Sequence, residues 1–144
     1  MLILAIGVLI FVLLHGVAAV PRLKSYVKSR TGERWYGPIF GLASVLAIAV
    51  IVLGWRSSDF VALYDPPGWG WYVNYVLTFI AFLCVGVFLF RGGYRQRLRF
   101  PMAIATVFWA TGHLFANGDL ASLILFGGLL VGNTAHMAVA AANG

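Results

Sequence analysis

LILAIGVLIFVLLHGVAAV, residues 2–20, carries no Asp, Glu, Lys or Arg and one titratable side chain, His15. About 20 apolar residues, at ~1.5 Å of rise each, cross the ~30 Å hydrocarbon layer of a bilayer, so the stretch reads as a transmembrane helix. Its small-residue end also suits a secretory signal. A basic leading region is lacking, however, and Pro21 follows directly, so a retained helix is expected.

The rest of the chain extends that reading. Hydrophobic residues make up 62% of the 144 and charged residues 10%, far from the proportions of a water-soluble core. Further apolar runs occupy Pro38 to Trp55, Trp71 to Phe90, Pro101 to Ala116 and Leu120 to about Ala142. In lipid each can satisfy its backbone internally only as a helix. The expectation is an all-α, polytopic transmembrane helical bundle of about five spans, one domain over residues 1–144, with the lipid bilayer as its surroundings. No inverted repeat or pair of broken spans favours a transporter.

The net charge of +6 does not point to nucleic acid, because the cations cluster beside the apolar runs and form no continuous stripe. Arg22, Lys24, Lys28, Arg30 and Arg34 lie in the first connection, and Arg91, Arg95, Arg97 and Arg99 in the third. The second connection holds only Arg56, against Asp59 and Asp65. By the positive-inside rule the N-terminus is outside and the C-terminus cytoplasmic. Trp55, Trp69, Trp71 and Tyr72 then mark the outer interface, and Trp35, Tyr36 and Tyr94 the inner one. Basic residues at that inner face also gain roughly 1 kcal/mol each from anionic lipid.

Few polar groups remain to carry chemistry. The lone cysteine, Cys84, sits in an apolar run and reads as a packing residue. His15, His113 and His136 fall within spans, where ionisable groups are costly without a partner. The carboxylates Glu33, Asp59, Asp65 and Asp119 lie in connections or at a helix end, which argues against an intramembrane proton relay, a hydrolytic zinc site or a di-iron site. Haem fits better, since it wants apolar helices and an imidazole axial ligand. The competing reading is that each ring hydrogen-bonds a neighbouring helix. At ~1.5 Å per residue His15 and His136 lie roughly 8–9 Å from the inner ends of their spans and His113 roughly 18 Å, so depth alone pairs His15 with His136.

Local spacing adds detail. Trp109, His113 and Asn117 share one helical stripe, and Gly112 with Ala116 offers either room for a cofactor or a close helix approach. Gly128 and Gly132 in the last run suit helix packing or contact with other membrane subunits. In ANGDLAS, Gly118 suits a left-handed position after a helix end and Asp119 a cap for the next helix. DPPGWGW reads as a stiff surface turn.

Three stretches, LLHG around His15, LYDPPGW, and RFPMAIATVFWATGHLFANGDLASLILFGG, together resemble the NnrU family of bacterial membrane proteins, which is related to 15-cis-zeta-carotene isomerase. The most specific part runs from Arg99 to Gly128. The resemblance implies a multi-pass protein of the bacterial inner (cytoplasmic) membrane that binds haem b, with His15 and His113 as metal ligands, Trp109 and His136 beside the cofactor, and a carotenoid or other hydrophobic ligand. Ala110 stands where the isomerase has an alternative cysteine ligand, which removes thiolate exchange, and Phe100 stands where relatives have histidine. Two functions stay open: a haem protein with an isomerase-like or redox role, or a non-catalytic subunit or assembly factor of a respiratory, denitrification or photosynthetic complex. No residue is assigned to catalysis.

Overall fold

Leu9, Phe82 and Phe90 are 58%, 69% and 85% uncovered by the rest of the chain, an arrangement that lipid accepts and water does not. The structure is a computed structural model that describes residues 1–90 and 93–143, with only the backbone described at 95 and 96. Arg91 and the Arg95 side chain, counted above in the third connection, and Gly144 therefore lie outside the described residues. The helices are α1 (Leu2–Ala19), α2 (Pro21–Thr31), α3 (Glu33–Arg56), α4 (Gly70–Phe90), α5 (Gly93–Arg97), α6 (Pro101–Ala116) and α7 (Leu120–Ala142). Four of them, α1, α3, α4 and α7, are long and apolar enough to cross a membrane. With 16 residues α6 is shorter, about 24 Å at ~1.5 Å per residue.

Most of the first connection is itself a helix, α2. Pro21 opens α2 in the first turn, where its missing N–H costs nothing. Gly32 closes α2 at φ 83°, a conformation that suits glycine. α3 then begins at Glu33, ahead of the expected Pro38, and runs through that proline. A proline so near a helix start removes only one of the early backbone bonds. In α7 a π-helical turn covers Leu123–Gly127.

The helices form two compact units, Met1–Asp59 with the residues from Ala135, and Phe60–Thr134. In the first, α1 and α3 pack antiparallel. A Cβ on Gly7 would stand 2.8 Å from the Ile51 nitrogen, and one on Gly54 would collide with the Leu4 backbone. Leu4 is fully enclosed there. Small residues permit this approach, and in lipid the packing itself must hold the pair. Toward the other ends of the two helices a Cβ on Gly16, Gly37 or Gly41 would meet nothing within 4 Å, and there the pair touches through the His15 and Phe40 rings, 5.3 Å apart.

In the second unit α4 and α6 pack antiparallel through Gly70 against the Phe115 carbonyl and Gly112 against Asn74. Ala81, Cys84 and Ala105 form the core farther along, so Cys84 is the packing residue expected. The space beside Gly112 is filled: its Cβ would lie 2.8 Å from Asn74 Oδ1 and 3.3 Å from Leu77. Close approach, not a cofactor gap, explains that glycine.

Candidate cofactor-binding histidines

His15 and His113 are built alike. The His15 Nδ1 donates to the Phe11 carbonyl at 2.9 Å, and the His113 Nδ1 donates to the Trp109 carbonyl at 2.9 Å. In both cases the acceptor is the carbonyl four residues earlier on the same helix. Because a carbonyl only accepts, the proton of the neutral ring sits on Nδ1 and the lone pair on Nε2. Among the described residues no hydrogen bond is made to either Nε2.

Aromatic rings hold both imidazoles. Phe11 stacks on His15 with ring centroids 4.2 Å apart and a 30° interplanar angle, and Phe40 of α3 meets it edge-on at 5.3 Å. Trp109 lies 4.7 Å from His113 at 52°, while Phe126 of α7 stacks on it at 4.5 Å and 29° and meets Trp109 edge-on at 5.0 Å. Phe126 is buried and sits in the π-helical turn. An aromatic residue four positions before each histidine, Phe11 as well as Trp109, was the available sequence signal. Phe40 and Phe126 come from other helices and carried none.

His136 differs. Its Nδ1 donates to the His15 carbonyl at 3.0 Å, tying the end of α7 to α1 within the first unit. The structure thus brings His15 and His136 together, with His136 bonded to main chain rather than to its own helix. His113 belongs to the second unit. Gly128 and Gly132 are half-buried. Ala110 is fully enclosed, and Phe100, at the N-cap of α6, lies under the Arg99 guanidinium at 5.0 Å. Among the described residues no group of three or more His, Cys, Asp or Glu converges in a metal-ligand cluster.

The two stretches LYDPPGW and ANGDLAS meet in the second unit. Leu63 and Tyr64 N–H groups donate to the Gly118 carbonyl at 2.8 and 3.1 Å, and the Leu120 N–H donates to the Val61 carbonyl at 2.9 Å. The Tyr64 hydroxyl contacts the carbonyl oxygens of Leu114 and Asn117. Asp119 caps α7 as expected, accepting from the Ser122 N–H at 2.9 Å and the Ser122 hydroxyl at 2.6 Å. The role expected of Gly118 is corrected: its φ is not in the left-handed region, and α6 ends in an extended Asn117. Glycine is needed because a Cβ would strike the Tyr64 carbonyl.

The sequence profile described as NnrU protein matches residues 3–144, so the match covers both histidine sites and the loop pairing. The chain belongs to the NnrU family. No curated protein and no solved structure matches it. Within this NnrU chain the segment Arg99 to Gly128 coincides with α6, its turn and the π-helical start of α7, the elements that surround His113.

Proposed function

We propose that this NnrU-family protein is a haem b-binding protein of the bacterial inner membrane, in which His15 and His113 are the imidazoles that would hold the iron. The observation that carries the reading is the tautomer: in each ring a carbonyl takes the Nδ1 proton and directs the Nε2 lone pair away from it, the arrangement by which proteins orient histidine ligands. Two such imidazoles in apolar, aromatic surroundings suit a metal that arrives with its own planar donors. Haem, when bound, supplies an iron capable of electron transfer or ligand activation. The chain's part is to orient the imidazoles through Phe11 and Trp109 and to shield them with Phe40 and Phe126. A redox or isomerase-like role follows from that reading, without the thiolate option that Ala110 removes.

Absorption spectroscopy of detergent-purified protein tests it. A Soret band is expected, strongly reduced in His15→Ala and in His113→Ala and retained in His136→Ala. A colourless wild-type protein purified from haem-replete cells refutes the reading. Retention of the band in both His15→Ala and His113→Ala with its loss in His136→Ala refutes the ligand assignment. The alternative, a non-catalytic membrane subunit or assembly factor, draws on the Gly128 and Gly132 face; it predicts a colourless protein that co-purifies with a larger complex and loses it on Gly132→Leu.

A further inference from the structure

Aromatic neighbours fix the His15 and His113 imidazoles in two different ways. The torsion that turns an imidazole about its Cβ–Cγ bond has broad wells, so the helix alone does not set the ring plane. The bond from Nδ1 to the carbonyl four residues earlier chooses which nitrogen faces the backbone, but the ring can still rock about that bond. A second ring laid flat on the imidazole stops the rocking. For His15 that ring is Phe11, stacked at 30° from the same helix, and the neighbouring α3 supplies only an edge, Phe40 at 65°. For His113 the order is reversed. Its own helix supplies Trp109, tilted at 52°, and the flat partner is Phe126 of α7, at 29° and 4.5 Å.

Phe126 reaches that place from an uncommon backbone. π-Helical turns are rare and concentrate at functional sites, and the turn at Leu123–Gly127 has Phe126 as its one buried residue. The turn sits between fixed ends. Ahead of it Asp119 caps the helix through Ser122, and behind it the Gly128 N–H donates to the Ile124 carbonyl, four residues back, where α-helical bonding resumes. Phe126 also meets Trp109 edge-on. One side chain therefore bears on both the imidazole and the residue whose carbonyl holds it.

We infer that Phe126 is the positioning residue for His113, an inference that rests on the haem reading for its purpose: the π-helical turn of α7 sets the plane of that imidazole, while His15 is set from within α1. A side chain that holds a metal must be kept within about 10–20° of its working orientation by packing and by hydrogen bonds around it. At His113 the hydrogen bond is local and the packing comes from another helix, so a shift of this turn of α7 is felt at the imidazole.

Solid-state NMR of the full-length, histidine-labelled protein in bilayers, with no haemin added, tests the assignment. The carbon–proton dipolar coupling of each imidazole falls as its ring rocks, and the single histidine variants assign the signals. Phe126→Leu and Phe126→Met keep apolar bulk without a ring; both are expected to lower the coupling of His113 and leave that of His15 at its wild-type value. Phe40→Leu should leave His15 rigid, because Phe11 still lies on it. In a haemin titration Phe126→Leu should bind roughly fivefold more weakly than wild type, the order of one aromatic pair. A His113 coupling unchanged in both Phe126 variants shows that the Trp109 carbonyl suffices and overturns the inference. A loss at His15 in Phe40→Leu as large as that at His113 in Phe126→Leu overturns it too, as does unchanged haemin affinity in Phe126→Leu. Wild-type protein that takes up no haemin refutes the haem reading instead, and the couplings still decide what Phe126 does to His113.

Discussion

Backbone carbonyls decide what two residues contribute. Gly118 and Tyr64 meet where the α3–α4 loop crosses the α6–α7 turn, and neither tolerates much change. Gly118→Ala places a methyl group against the Tyr64 carbonyl, so the loop must lift and its bonds to Gly118 lengthen. Overpacking of this kind costs about 1–3 kcal/mol. Tyr64→Phe removes a donor shared by the Leu114 and Asn117 carbonyls, at about 1 kcal/mol. Thermal unfolding in detergent should show both losses, with less than their sum in the double variant, because the two act on the same contact. Full additivity would mean that the loop and the turn are independent. His136→Phe is expected to cost about 0.6 kcal/mol, the usual worth of an interhelical hydrogen bond in a membrane, by freeing the end of α7 from the His15 carbonyl.

At the scale of helices, glycine positions set which faces meet. Gly54→Val should separate α1 from α3, since the added atoms fall on the Leu4 backbone. Gly41→Val, on the same helix but with open space around it, should leave the pair intact. Thermal unfolding in detergent of the two variants reads the difference. Equal melting would show that the close approach is dispensable. The long spans were legible in the sequence because lipid imposes one rule on every residue of a run, and α1, α4 and α7 begin or end within a residue or two of the expected points. The helix α2 was not, because its cations and turn-forming ends outweigh its pattern in water-based reasoning, while a headgroup layer accepts a polar helix lying along it. At the site, the histidines and Trp109 were legible as polar or bulky exceptions on apolar helices. Phe40 and Phe126 were not, because an aromatic residue among aromatics gives no sign of which ring it will face. Gly112 and Gly118 were visible as glycines, but the atoms that require them, Asn74 and the Tyr64 carbonyl, are distant in sequence.

For the whole molecule the number of crossings turns on α6. At about 24 Å it is some 6 Å short of a ~30 Å hydrocarbon layer, a mismatch that thinning absorbs at fractions of a kcal/mol per Å. It lies antiparallel against α4, itself long enough to span, with contacts from Gly70 opposite Phe115 to the core of Ala81, Cys84 and Ala105. A helix so aligned with a spanning neighbour should cross with it. Five crossings put the two termini on opposite faces, whereas four put them on the same face. Where the basic α2 lies on the cytoplasmic face, as the positive-inside rule expects, five crossings place Ser29 and Asn143 inside and Asp59 outside. Single cysteines at these three exposed positions, in a Cys84→Ala background, can be probed in intact cells with a membrane-impermeant maleimide. Labelling is expected at 59 alone, with 29 and 143 reacting only after lysis. If 143 labels from outside while 29 does not, α6 fails to cross, and the chain has four spans with an apolar helix folded back beside α4.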